Sequence, residues 1–381
     1  MNKFAETILV TFVGGMLFTW LHVPLSWMLG PLTAVLLWTA FTRRHLAWPA
    51  GMRNLGMALL GYSMGLSFTM ESARQISTQL PSMLVATVTT IIFSIIVAIV
   101  TARLTGINVA SSAIGSIPGG LSQMVILSEE IEGADTAVVT FMQTIRVLMV
   151  VFTVPFLAVH SLANEPVSGV AGLGRQAASS QDTLLASLAV AADALSARPL
   201  FVCALLLCVL AAVWIAIKLR FPTPYLLGPI LAAALFTVGG LEPPQLPSLF
   251  ILLAQWSLGI YMGLGIKLSS LKSWKKLLPY SILGSAVVVA FSMGISIVFS
   301  RILPISIMTA FLGTSPGGMA EMGITATAVG ANVSLVVAYQ MFRILFILFI
   351  VPYLLRWGFR RLYRNSETNS KTNSKTCMAE K

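Results

Sequence analysis

Residues 115–124 read GSIPGGLSQM and residues 313–322 read GTSPGGMAEM, and the 198 positions between them decide how the chain is organised. The same offset of 198 relates PLSWMLGP at 24–31 to PTPYLLGP at 222–229, and GYSMGL at 61–66 to GIYMGL at 259–264. Further on the offset becomes 197. It then pairs Gly133-Ala134-Asp135 with Gly330-Ala331-Asn332, Gln143 and Arg146 with Gln340 and Arg343, and Val154-Pro155 with Val351-Pro352. One single-residue gap keeps the register throughout, which is the mark of an internal duplication. The repeats are 1–160 and 199–357, joined by an Ala/Ser/Gly-rich connector at 161–198. A basic tail at 358–381, with its NSK and TNSKT repeats, has the composition of a disordered segment.

Each repeat is mostly apolar. Of 381 residues 57% are hydrophobic and 10% charged, whereas a soluble domain carries about 25% charged residues. That composition excludes a water-soluble enzyme. Runs at 5–22, 27–42, 54–70, 82–102, 107–128 and 137–160 recur at 200–217, 225–240, 250–266, 278–300, 304–329 and 333–355. Most approach the ~20 residues a helix needs to cross a bilayer. The expected fold is all-α and polytopic, with about five to six transmembrane segments per repeat. The first run follows Lys3 as a signal peptide would, but its counterpart lies mid-chain, so a retained span is expected.

The opening stretch interrupts the fifth run. Ile117-Pro118-Gly119-Gly120 and Ser315-Pro316-Gly317-Gly318 place a residue without an N–H and two helix-weakening glycines at mid-run. Irregular backbone at membrane depth must be buried in protein or line a cavity. Charge votes on its path. With the amino terminus inside and both broken runs re-entrant, 18 Lys/Arg lie on the cytoplasmic side and four outside. If both runs cross, the split falls to 15 and seven and strands the cluster Lys267 to Lys276 outside. The re-entrant arrangement leaves five crossings per repeat. An odd number inverts the second repeat, the pattern of secondary transporters with paired broken helices. Both termini are then cytoplasmic, and the net charge of +11 is mainly an orientation signal.

Two basic residues are not on either side. Arg146 and Arg343 fall about 15 Å into the last run of each repeat, at ~1.5 Å per residue. A central arginine costs about 2.5–3.5 kcal/mol even on lenient scales. Gln143 and Gln340 precede them by three positions on the same helical face. Two readings stand for these pairs. They bind an anion together with the broken-helix segments Ser116, Pro118, Gly119, Gly120 and Gln123, and Ser315, Pro316, Gly317 and Gly318. Alternatively they form an ion-pair or carbonyl network, with Glu321, Asp135, Glu129, Glu130 and Glu132 as candidate partners. Glu321 aligns with Gln123 and Asp135 with Asn332, so the repeats differ chemically. Glu321 is the candidate proton carrier; Ser116, Ser122, Thr314 and Ser315 either coordinate substrate or Na⁺ or satisfy freed carbonyls.

The three histidines (His22, His45, His160) are scattered and the cysteines (Cys203, Cys208, Cys377) form no CxxC, so no metal site or cofactor is expected beyond H⁺ or Na⁺ coupling. No soluble basic module predicts nucleic-acid binding. The Gly-Pro pairs at 30–31 and 228–229 suggest the start of a helix, and the GxxxG spacing from Gly61 and from Gly259 suggests close helix packing.

The doubled PGG segment, the LGP near each repeat start and the arginine helix at each end resemble the AbrB-duplication family of bacterial integral membrane proteins, over 5–357. Members carry labels such as ammonia monooxygenase and membrane regulator of gene expression. The architecture is similar to the cation/proton antiporter and anion-transporter superfamily. That resemblance implies a bacterial inner membrane, and two discontinuous helices that cross at the centre. A copper monooxygenase needs clustered nitrogen ligands, which are missing here.

The sequence therefore predicts a secondary transporter of a small organic anion or similar metabolite, working by alternating access and embedded in the lipid bilayer, with a homo-oligomer left open. The competing reading is a non-transporting membrane sensor that affects gene expression through a ligand or partner. An enzyme is not expected, since no nucleophile–base or metal constellation is visible.

Overall fold

Long apolar stretches without a polar face have one stable backbone solution in lipid, the helix, because it satisfies every N–H and C=O internally. The computed structural model follows this. It describes residues 3–42, 46–131, 133–160, 199–219, 221, 223–241, 243–266 and 277–355, which are helical with short connections and, among the described residues, no strand. The connector 161–198, the Lys267 to Lys276 cluster and the tail lie outside these residues.

The first half contains α1 (Lys3–Trp20), α2 (Ser26–Thr42), α3 (Ala50–Gly65), α4 (Met70–Thr78), α5 (Leu80–Thr105), α6 (Val109–Ser116), α7 (Leu121–Glu130) and α8 (Thr136–His160). The second contains α9 (Pro199–Lys218), α10 (Pro224–Val238), α11 (Ser248–Gly265), α12 (Leu277–Ile302), α13 (Ile307–Thr314), α14 (Met319–Val329) and α15 (Val333–Phe349). Among the described residues five helices are long and apolar enough to cross a membrane: α5, α8, α9, α11 and α12. Their outer faces stay apolar: on α9, Leu207 is 67% and Leu210 65% exposed. Surface of that kind fits lipid, and the protein is a membrane protein.

Among the described helices, α4 alone corresponds to none of the apolar runs. It is a short helix capped by Thr69, whose side chain accepts from the Ser72 N–H (3.2 Å). The cap residue and Glu71 were its sequence signals.

The helices sort into two units. In one, α1–α3 and α9–α11 pack together; in the other, α5–α8 pack with α12–α15. Glycine sets the spacing of the first. A Cβ on Gly61 would strike the Leu226 carbonyl, and one on Gly259 the Met28 carbonyl. One turn on, Gly65 faces Ile230 and Gly263 faces Leu32 and Val35. So α3 runs parallel to α10, and α11 parallel to α2. Between α3 and α11 the order reverses: Ser257 Oγ donates to the Met52 carbonyl (2.9 Å), while Gly56 faces Ala254. Those two helices are antiparallel.

The Gly-Pro pairs do not sit where a helix starts. Pro31 lies inside α2 and Pro229 inside α10. Gly30 meets the Gly14 backbone on α1, and Gly228 meets Val213 on α9. Their role is close packing, with proline tolerated near the first turns.

Candidate functional site

The break in each fifth run leaves a debt of carbonyls. When α6 ends at Ser116, its last carbonyls have no helical donor to follow, and Pro118 has no N–H to offer. Gln143 and Arg146 on α8 supply the donors. Gln143 Nε2 donates to the carbonyls of Ile114 (2.8 Å) and Ile117 (3.0 Å). Arg146 donates through Nη1 to Ile117 (2.5 Å) and through Nη2 to Gly119 (3.1 Å). The second half repeats this. Gln340 Nε2 reaches the carbonyls of Leu312 (2.7 Å) and Ser315 (3.0 Å). Arg343 donates to the carbonyls of Ser315 and Gly317, and also to Gln340 Oε1. A cation at a helix carboxyl end is electrostatically favoured as well. All four side chains are buried.

The same bonds show the path of the chain. Ser111 Oγ, on the first turn of α6, accepts from the Asp135 N–H (2.7 Å), and Ser128, near the end of α7, donates to Thr136 (3.1 Å). Both ends of the broken run therefore sit beside the start of α8, while its tip reaches Arg146. The segment is a hairpin, α6–α7, that turns back. In the second half the Asn332 N–H donates to Thr309 Oγ1 (3.1 Å) and the tip reaches Arg343. These contacts correct the crossing of discontinuous helices that the superfamily resemblance implied. The tip is held from α8, and the chain returns towards the start of that helix.

The two glycines of each tip have a local cause. Met124 folds over Gly119 and Met322 over Gly317, so that a Cβ on either glycine would collide. Gln123 folds back towards Gly120, and the Glu321 carboxylate lies over Gly318, so a Cβ there would have to displace it. Gly120 and Gly318 are the N-caps of α7 and α14, and neither helix has a side-chain cap hydrogen bond. Pro118 and Pro316 are buried behind the tips. The Thr314 hydroxyl donates to the Ala310 carbonyl (2.8 Å) and so satisfies backbone locally. Ser315 is fully buried, with Oγ unpartnered. Ser116 borders a small cavity beside Arg146.

The acidic residues are placed differently from one another. Asp135 caps α8, accepting from the Ala137 N–H (2.8 Å), and Asn332 caps α15, accepting from the Leu335 N–H (3.1 Å). This Asp/Asn pair is thus a matched N-cap, legible from its position just before each helix. Glu129 and Glu130 are exposed at the end of α7. Glu321 is 8% exposed and its Oε2 has no partner. Tyr280, Ser281 and Ser285 also lie beside Arg146, and no motif marks them.

The hairpins differ in what covers them. Helix α14 packs on α3 of the other unit, where Gly323 meets Met64. Helix α7 packs on α6 and α8 of its own unit.

Comparison with known proteins bears on this geometry. The family described as "Transition state regulatory protein AbrB" matches residues 27–358, a span that holds both hairpins and both arginine helices. The chain belongs to the AbrB family. Two known proteins are similar to it over nearly their whole length. "Uncharacterized protein YhjN" of Bacillus subtilis (strain 168) is 25% identical over 358 residues, 91% of this chain and 90% of that protein. "Putative regulator AbrB" of Escherichia coli (strain K12) is 28% identical over 339 residues, 88% of this chain and 90% of that protein. The AbrB match begins at α2, so it takes in the packing glycines as well as the tips.

Proposed function

We propose that this AbrB-family protein is a secondary transporter that moves a small organic anion, or a similar metabolite, by alternating access between two inverted repeats. The observation that carries the proposal is the unequal cover of two matched hairpins: among the described residues α14 packs on α3 of the opposite unit, whereas α7 packs mainly on α6 and α8 of its own. A device that exposes its centre to each side in turn needs two equivalent elements in two different states. The antiparallel packing of α3 on α11, which are equivalent helices, supports the inversion.

In this proposal the substrate sits at the hairpin tips. The N-termini of α7 and α14 offer backbone N–H donors, and the buried charges of Arg146 and Arg343 make the region favourable to an anion. Glu321, buried and with one oxygen unpartnered, carries a coupling proton; its counterpart Gln123 cannot. The protein resides in the bacterial inner membrane with both termini cytoplasmic and has no enzymatic role. A regulatory effect, as the name of the Escherichia coli relative suggests, would follow indirectly from a changed metabolite level.

The test is uptake into proteoliposomes of a panel of small mono- and dicarboxylates, with and without an imposed proton gradient. Gradient-dependent uptake that is lost in Glu321→Gln supports both transport and the proton role. Folded wild-type protein that moves no member of the panel under either condition removes the proposal.

A further inference from the structure

The spans α5 and α12 are equivalents of each other, and they meet at an aromatic pair. Phe93 and Phe291, which the offset of 198 matches, stack with ring centroids 3.8 Å apart and planes 7° from parallel. To one side of that pair Gly284 faces Val97, and to the other Phe299 shares a buried cluster with Met83 and Ala86, so the two helices are antiparallel. On the Phe299 side the seam opens into a groove of about 350 Å³, lined by Val85, Ala86 and Thr89 of α5 and by α12 from Phe291 to Phe299. Gly294 is the reason. It stands where the first repeat has Ile96, and a Cβ on it would meet nothing within 4 Å. Val85 is 55% and Val298 52% exposed, which puts the groove on the outer face of two membrane-spanning helices.

Charge is found at one end. None of the lining residues is charged, and Thr89 is the one polar side chain among them. Arg301 follows Gly294 by seven residues, two turns or ~10 Å along the same face of α12, and is exposed. Helix α4 lies at this end too, because its Ile76 packs in the cluster that holds Phe299. It brings Arg74 and Glu71, both exposed, and Glu71 Oε1 accepts from Gln75 (3.5 Å).

We propose that this groove binds one acyl chain of an anionic phospholipid, with the chain laid between α5 and α12 against Gly294 and the head-group phosphate on the Arg301 guanidinium. The volume lies in the ~300–1,000 Å³ range of pockets that bury organic molecules. The apolar wall suits an aliphatic chain, which gives up no hydrogen bonds on entering it, as a polar solute would. Arginine binds phosphate oxygens in pairs, and a basic residue beside the head groups favours anionic lipid. The offset of 198 pairs Arg301 with Arg103, at the last turn of α5, but Ile96 rather than a glycine lies two turns before Arg103. The two arginines thus carry the same charge at matching helix ends, and Arg301 alone has the open glycine beside it. The lipid fills a gap between equivalent spans of the two repeats and uses none of the residues assigned to substrate.

Thermal unfolding of the purified full-length protein in detergent is followed in rising dioleoyl phosphatidylglycerol and, separately, dioleoyl phosphatidylcholine. The anionic lipid is expected to raise the melting temperature at lower concentration than the neutral one. Arg301→Gln should raise the half-saturating concentration of phosphatidylglycerol about fivefold and leave that of phosphatidylcholine unchanged. Arg103→Gln should respond as wild type. Gly294→Ile, which copies the first repeat, should abolish the difference between the two lipids. A bromine signal between Thr89 and Gly294, from protein in phosphatidylglycerol with brominated chains, would establish the site. Four results would overturn the proposal: equal stabilisation of wild type by both lipids, an unchanged response in Arg301→Gln, an equal loss in Arg103→Gln, or a wild-type dimer that Gly294→Ile turns into a monomer. The last would give the groove to a second copy of the chain.

Discussion

Ile126 and Ile324 occupy matching positions in the two hairpins, yet Ile126 is 57% exposed and Ile324 only 4%. The sequence difference is nil at this position, so the cause lies in what each hairpin meets. Ile324 sits in the cluster that contains Met64 and Leu60 of α3 and Leu226 of α10. Ile126 points away from its own unit. In a background without native cysteines, Ile126→Cys should react with a membrane-permeant maleimide about tenfold faster than Ile324→Cys. Equal rates would show that the two hairpins exchange cover too fast for either to be distinguished.

The glycine seam predicts a matched pair of losses. Gly61→Ala and Gly259→Ala each push a Cβ into a backbone carbonyl of the facing helix, and carbonyls cannot rotate away. Each should destabilise by about 1–3 kcal/mol, the usual range for overpacking. Gly51→Ala is the comparison, because a Cβ there meets nothing within 4 Å, and helix propensity favours alanine by about 1 kcal/mol. Melting temperatures in detergent would separate the three.

Removing an arginine should cost more than its charge. Arg343→Ala leaves the carbonyls of Ser315 and Gly317 without these donors in a buried tip, and frees Gln340 Oε1 as well. Arg146→Ala removes the side-chain donor to the Gly119 carbonyl and one donor to the Ile117 carbonyl, which keeps Gln143. Each buried, unsatisfied group costs about 1–3 kcal/mol. Arg343→Ala is therefore expected to lower the yield of monodisperse protein more than Arg146→Ala. Should both variants fold as wild type, the carbonyl network contributes little.

A smaller effect is expected at Tyr339, which ties α15 to the start of α5. Its hydroxyl donates to Gln79 Oε1 (3.1 Å) and lies 2.9 Å from Ser82 Oγ. Tyr339→Phe keeps the ring and should cost about 1 kcal/mol, read as a lower melting temperature. No change would place the hydroxyl's partners in solvent instead.

That the two arginine–glutamine pairs are buried at mid-run is legible in the sequence. Gln143, Arg146, Gln340 and Arg343 stood out because polar groups at the centre of apolar runs are expensive, and an expense repeated in both halves needs a cause. The cause itself was not legible. Which carbonyls the guanidiniums serve depends on where each hairpin tip comes to rest, and no spacing rule gives that. The sequence places the tip glycines among the residues that line a site. The structure places Met124, Met322, Gln123 and Glu321, three or five residues further along the chain, over the side where a Cβ would stand.

The duplication, the helical class, the membrane setting and the two broken runs follow from composition and periodicity, since they depend on local chemistry repeated at a fixed offset. What only the tertiary structure decided is how the two matched repeats come to differ in what they pack against. Gly61 meets Leu226 and Gly259 meets Met28 in the same way, so the seam stays symmetric. The hairpins do not: α14 rests on α3, whereas α7 rests within its own unit. A local pattern cannot encode that difference, because it arises from the way two units pack against each other rather than from either repeat alone.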